Sequence, residues 1–297
     1  MKEIGIIGVG LMGHGIAKNV VKNGWKLNFL KHPGNQPTTD IEAEGAVGWL
    51  NAYDMAVKCD AIILCVTGSA QVEDVLVGSG RVLDALQPNK IIIDCSTAIP
   101  SSTIKLAKRV EEKGARFVDA PMTRTPKEAE QGRLNLLVGG DIELVSSLRK
   151  LFSSFAENVF HAGGTGAGHQ LKLLHNFVSL GTVSLIAEAI ACGAKGGVSM
   201  DALVECLQKG GGSGVALDRL SPFIASGATE QLQFTLANAC KDLDYYNAMA
   251  KDLDARNAIA GSVHKTFELL VERGKGGSFV PEQITLLQQY GANISLI

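Results

Sequence analysis

Gly8-Val9-Gly10-Leu11-Met12-Gly13 decides the fold. It follows an apolar run at residues 3–8 and opens a stretch, residues 11–23, with helical spacing at Leu11, Ile16 and Val20 that stops at Gly24. A strand, Gly-x-Gly-x-x-Gly and a helix, in that order, form a dinucleotide-binding fingerprint. The first Gly permits the tight turn and the second lets a pyrophosphate reach the backbone. The third lets the helix pack on the strand, so that the helix N-terminus faces the phosphates. Gly8, Gly10, Leu11, Met12 and Gly13 are therefore expected cofactor contacts.

Outward from this turn the chain alternates. Residues 26–31 read as a second strand. Residues 61–66 (AIILCV) and 90–94 (KIIID) are unbroken apolar runs, as in strands covered on both faces of a parallel sheet. Residues 100–113 and 141–155 have helical patterns, and 116–119, 134–138 and 159–161 are further strands. The glycine-rich stretch 163–168 (GGTGAG) separates this half from one in which only helices are expected: 169–195, 200–208, 231–251, 256–273 and 281–290. The expected fold class is α/β: a Rossmann-like doubly wound sheet (1–164) followed by an all-helical domain (165–297).

Composition narrows the partners. The 297 residues are 46% hydrophobic and 20% charged, with net charge −2 and no basic tract, which argues against nucleic acid. The most apolar segment, 177–194, contains Glu188 and reads as a buried helix, not a membrane span. The start reads as a first strand, not a leader, and a cytoplasmic protein is expected. None of the six cysteines forms a CxxC pair, so buried reduced thiols are expected. The histidines are scattered; His169 and His175 diverge on a helix, so no metal site is expected. No GxSxG of a nucleophilic hydrolase is present.

At the end of the second strand an acid would accept from both hydroxyls of an adenine ribose. Here the sequence is Leu30-Lys31-His32-Pro33, with no carboxylate before Asp40. Lys31, with His32 beside it, offers a positive charge to a 2′-phosphate, which favours NADP(H) over NAD(H).

Together the motifs GVGLMG (8–13), DCST (94–97), DAPMTRT (119–125), AEQGRLNLLVGG (129–140), GAGHQLKLLHN (166–176) and KDLD (241–244) resemble the β-hydroxyacid dehydrogenase family, in order and spacing, over nearly the whole chain. That family includes 3-hydroxyisobutyrate dehydrogenase and tartronate semialdehyde reductase. The resemblance implies an enzyme that interconverts short β-hydroxy acids and semialdehydes with NAD or NADP, and a helical domain that forms a dimer or tetramer. It implies that Lys172 is the general acid/base and that Asn176, one turn on along the same helix, orients it. His175 points elsewhere and is expected to be structural. Ser96 and Thr97, and Val66 and Thr67 after Cys65, would line the cofactor. Lys241 would reach the cofactor, and Asp242 would either act there or pair structurally.

One segment departs from the family. Where the family reads Ser-Gly-Gly and holds the substrate carboxylate, this chain has Thr123-Arg124-Thr125. Thr123 keeps a hydroxyl. Arg124 adds a planar cation able to clamp a carboxylate, sulfonate or phosphate. The sulfolactaldehyde reductase branch is similar here, with Gly-Arg-Thr. A strongly anionic small-molecule substrate is expected, unless Arg124 turns outward or pairs with Glu128. The glycine-rich loop 210–214 borders the substrate or simply joins two helices. Two other readings stand beside this one: a non-catalytic dinucleotide-binding module, against which Lys172 and Asn176 argue, and an imine reductase on the same fold, in which another residue usually holds the lysine position.

Overall fold

The apolar runs pair as parallel strands. In the computed structural model, which describes residues 1–290, the first half contains β1 (Glu3–Ile7), α1 (Leu11–Lys22), β2 (Lys26–Leu30), α2 (Thr39–Ala43), β3 (Val47–Trp49), α3 (Ala52–Lys58), β4 (Ala61–Leu64), α4 (Ser69–Val77), α5 (Val82–Ala85), β5 (Ile91–Asp94), α6 (Pro100–Glu111) and β6 (Arg116–Asp119). It continues with β7 (Met122–Thr123), α7 (Pro126–Glu130), β8 (Leu134–Gly139), α8 (Ile142–Phe152) and β9 (Ala156–Gly163). The strand order is β3-β2-β1-β4-β5-β6-β8-β7, with β9 on the free side of β8. β1 to β6 run parallel, and β8 is antiparallel to β6 and β7.

Successive residues of a strand enter opposite layers. Ile4, Ile6, Ile63 and Ile93 belong to one buried cluster with α1 and α8. Ile7, Ile62, Leu64 and Ile92 belong to another with α3, α4 and α6. That alternation makes the sheet doubly wound and explains why its strands are apolar throughout.

The second half is helical: α9 (Ala167–Lys195), α10 (Met200–Lys209), α11 (Val215–Ser226), α12 (Leu236–Asp252), α13 (Ala258–Leu270) and α14 (Gln283–Tyr290). Among the described residues its only strand-like pairing is a single bridge, Thr235 to Phe279. Leu180, Val183, Ala187 and Ile190 of α9 enter a core with Leu217, Leu236 and Phe267. Thus α9, although long and apolar enough to cross a membrane, is the central helix of this core.

The chain divides into two units, Met1–Lys172 and Leu173–Ile297. The first turn of α9 counts with the sheet, to which it is hydrogen-bonded. Some expectations need correction. α11 was hidden by the glycines before it and by Pro222 inside it; burial of Leu217, Leu220 and Phe223 outweighs the proline's cost. α12 starts at Leu236, not 231, because the Thr235 side chain caps it at the Asn238 N–H. Cys192 and Cys206 are exposed, although all six cysteines are free.

α1 and α7 meet backbone to backbone. A Cβ on Gly15 would lie 2.4 Å from the carbonyl carbon of Ala129. Asn19 fills the same seam, its Nδ2 donating to the carbonyls of Gly15, Ala129 and Glu130 at 2.8, 3.0 and 3.1 Å. At the open end of the seam His14 bridges Glu130 (Nδ1, 2.8 Å) and Asp40 (Nε2, 3.0 Å), and Lys18 pairs with Glu130 at 2.8 Å. Burial pulls the His14 pKa down, but hydrogen bonds and charge from Glu130 and Asp40 outweigh it, so the net shift is upward.

Gly15→Ala must force the two helices apart. It should destabilise the protein by about 2–3 kcal/mol, read from the urea unfolding midpoint. His14 gives a pH signature. A raised folded pKa contributes stability that is present below the unfolded value of 6.5 and is lost as pH rises through the folded value. The midpoint difference between the unaltered protein and His14→Gln should therefore shrink as the pH is raised from about 6 through the folded value. A difference independent of pH over that range would contradict the charged bridge.

Candidate functional site

The glycine turn after β1 is shaped as its sequence requires. Gly8 has φ +97°, and a Cβ there would sit 2.2 Å from the Cys65 carbonyl oxygen. A Cβ on Gly13 would lie 1.9 Å from the Gly8 oxygen, so α1 packs directly on the turn. A Cβ on Gly10 would meet nothing within 4 Å, so the surface offered by the N-cap residue of α1 is open. The first turn of α1 carries no acidic residue and Gly10 makes no side-chain cap. Nothing there competes with an anion for the helix N-terminus. These residues fit a dinucleotide pyrophosphate.

The neighbouring loops leave the same edge of the sheet. The Ser96 hydroxyl accepts from the Val66 N–H at 3.0 Å, tying the loop after β4 to the loop after β5. Asp94 accepts from the Ser96 N–H at 2.9 Å, while its Oδ2 is buried without a hydrogen-bond partner. Burial pushes the Asp94 carboxyl above the usual carboxylate range. Burial likewise pushes the Cys65 thiol up to about 12, so it stays protonated and is no nucleophile.

The head of α9 hangs from this edge. Asp119, the last residue of β6, accepts from the backbone N–H of Gly166 at 2.7 Å and of His169 at 2.9 Å. A Cβ on Gly168 would be 2.4 Å from the Leu137 oxygen, so the turn lies against the sheet backbone. The fully buried His169 side chain contacts the Thr103 hydroxyl through Nδ1 at 2.8 Å and donates from Nε2 to the Ser96 carbonyl at 3.1 Å. One turn further along is Lys172, the last residue of this unit.

In the helical unit Asn176 is buried, and its Nδ2 donates to Asp242 of α12 at 2.6 Å. His175 does not simply point away: its Nδ1 lies 3.0 Å from the Asn176 Oδ1. Lys241 pairs with Asp242 at 2.8 Å and lies over the Tyr245 ring at 4.9 Å. Asp242 is thus the partner of both Asn176 and Lys241.

The other sequence candidates have these surroundings. Lys31 pairs with Glu42 at 3.5 Å, and His32 accepts from the Gly34 N–H at 3.0 Å. Thr97 and Thr67 follow the ends of β5 and β4. Thr123 is buried at the end of β7. Arg124 has φ +84°, a conformation that costs a non-glycine residue about 1 kcal/mol. Its guanidinium pairs with Glu157 and donates to the Arg133 carbonyl, not to Glu128. Glu128 instead accepts from the Thr125 hydroxyl and N–H, a capping box that starts α7. Asp119, His169, Asn135 and Glu157 were not singled out as site residues. Asp119 had two sequence signals, its position at a strand end and its place at the head of the DAPMTRT motif; Glu157 had none.

Comparisons with known proteins identify the family and the fold. Residues 3–164 match the NAD binding domain of 6-phosphogluconate dehydrogenase, and residues 166–286 match the NAD-binding domain of NADP-dependent 3-hydroxyisobutyrate dehydrogenase. The chain is 30% identical to 2-(hydroxymethyl)glutarate dehydrogenase of Eubacterium barkeri, over 96% of this chain and 86% of that one. It is 32% identical to NAD-dependent L-serine dehydrogenase of Pseudomonas aeruginosa, over 90% and 88% of the two chains. The fold is that of 3-hydroxyisobutyrate dehydrogenase from Mycobacterium tuberculosis, solved with L-serine: TM-score 0.86 at 23% identity, covering 97% of this chain and 99% of that one. By sequence and by fold, the chain belongs to the β-hydroxyacid dehydrogenase family, the NAD(P)-dependent hydroxyacid dehydrogenases of 3-hydroxyisobutyrate dehydrogenase type.

Proposed function

We propose that the protein interconverts a small β-hydroxy acid and its semialdehyde, both bearing an anionic group, with NADP(H) preferred over NAD(H) and Lys172 as the general acid/base. The observation that carries this reading is the attachment of the α9 head, one turn before Lys172, to Asp119 and to the Ser96 carbonyl. Both lie at the strand ends that also bear the glycine turn.

The glycine turn and the loops beside it would hold a nicotinamide dinucleotide, which when bound would supply hydride-transfer chemistry. Lys172 handles the proton. In reduction its ammonium protonates the carbonyl oxygen, leaving a neutral hydroxyl, and the amine is reprotonated from solvent. In oxidation the amine takes the hydroxyl proton. Asn176 orients the lysine and the substrate oxygen; its own amide is fixed by Asp242. The loops bearing Val66, Thr67, Ser96 and Thr97, together with Lys241, border the cofactor.

Lys31 attracts the 2′-phosphate that distinguishes NADP. Because Glu42 already pairs with it, the phosphate must draw Lys31 from a carboxylate, and the preference is a modest one. In the same way an anionic substrate group exchanges Glu157 for itself at Arg124. An exposed ion pair contributes about 1 kcal/mol or less, and a bidentate clamp on a second anion exceeds that. A second copy of the chain covers the exposed stripe Leu174, Val178 and Leu185 of α9.

The test is NADPH and NADH oxidation with a panel of aldehydes bearing carboxylate, sulfonate or phosphate. Lys172→Ala should lower kcat by about 10²–10⁴-fold, and near-normal turnover in that variant would remove the proposed role. Arg124→Ala should raise KM for the anionic substrate by about 10-fold; an unchanged KM discards the clamp.

A further inference from the structure

Thr123, Asn135 and Asn158 stand in one row across three strands. Thr123 of β7 is opposite Asn135 of β8, and Asn135 is in register with Asn158 of β9. Their side chains are joined. Asn135 Nδ2 donates to the Thr123 hydroxyl oxygen at 3.2 Å, and Asn158 Nδ2 donates to Asn135 Oδ1 at 2.9 Å. The row starts at an exposed residue and ends at a buried one.

A hydroxyl has one proton and two lone pairs. Asn135 occupies a lone pair of Thr123, and its own acceptor oxygen is filled by Asn158. Neither asparagine then takes the Thr123 proton. The other two side chains of the segment are committed: Arg124 to Glu157 and the Arg133 carbonyl, Thr125 to Glu128. Among the described residues the Thr123 proton has no acceptor.

We propose that Asn135 is a positioning residue which, polarised by Asn158, turns the Thr123 hydroxyl into a donor for the anionic group of the substrate. This rests on the reading above that Thr123 faces that group. Reversing the row should abolish the donor. Asp at 135 has only acceptor oxygens and takes the Thr123 proton for itself. Asp at 158 turns the Asn135 amide so that its oxygen faces Thr123, with the same result from an exposed position.

The experiment measures NADPH oxidation by the full chain, with succinic semialdehyde as the anionic probe and butanal as an uncharged control. Asn135→Asp should raise KM for succinic semialdehyde by about 10–100-fold with kcat within about 3-fold, and change kcat/KM for butanal by about 10-fold less than kcat/KM for succinic semialdehyde. Asn158→Asp should raise the same KM by about 3-fold or more. Thr123→Val should match Asn135→Asp, and the double variant should be no worse than Thr123→Val alone. An unchanged KM in Asn135→Asp overturns the proposal, because the row then runs the other way. So does an additive loss in the double variant, which is simple charge repulsion. If Thr123→Val itself leaves KM unchanged, or the unaltered protein turns over neither aldehyde, the functional reading fails and the inference falls with it.

Discussion

The buried carboxylate of Asp119 holds two backbone N–H groups at the start of α9, and the arrangement of the site follows from that attachment. The first N–H groups of a helix have no partner within it, and a negative charge beside them is favoured. Hydrogen bonds to a charged group contribute about 1.5–3 kcal/mol each. Gly168 lets the turn come up to the Leu137 and Asp119 carbonyls, where any side chain would collide. His169, pinned by this turn, reaches the Ser96 carbonyl and the Thr103 hydroxyl. Ser96 in turn holds the Val66 N–H. One carboxylate thus fixes the turn of α9 that ends at Lys172 and, through His169, the loops that follow β4 and β5.

The parts legible in the sequence were those with a local signature. The glycine turn and the continuous apolar strands follow from close approach and two-sided burial, which constrain adjacent residues. Lys172 and Asn176 stand out only through the family motif, as expected site residues. What the sequence does not show is which residues far apart along the chain become partners. Asp242 meets Asn176 across 66 positions, and Glu157 takes Arg124 from a strand with no motif of its own. Asn135 was one polar residue in an apolar strand, and only the register of three strands brings it beside Thr123 and Asn158. Thr125, expected beside the substrate, also caps a helix through the glutamate three positions on.

A common electrostatic pattern runs through the candidate cations. Lys31 has Glu42, Arg124 has Glu157 and Lys241 has Asp242. Each positive charge assigned to an anionic ligand already has a carboxylate beside it. Such pairs keep a cation in place in the absence of ligand, and the exposed ones are weak enough to be exchanged. The Lys241–Asp242 pair differs, because Asp242 is buried and also bonds Asn176. Removing Lys241 leaves a buried carboxylate with one partner fewer, so its loss reaches Asn176 as well as any ligand.

The composition of α9 follows from its two attachments. Its head contains His169, Lys172, His175 and Asn176, and His169, His175 and Asn176 there each make a side-chain hydrogen bond. Beyond Asn176 the helix becomes apolar, because Leu180, Val183, Ala187 and Ile190 form the core of the helical unit. The segment that resembles a membrane span is therefore the consequence of one helix serving as the core of a small domain while its first turn is held by the sheet. A glycine hinge placed after that turn would free Lys172 from Asp119 and His169. Placed before it, as at Gly163 and Gly166, the glycines let the chain turn into the helix while the two backbone bonds to Asp119 keep the lysine's turn on the sheet.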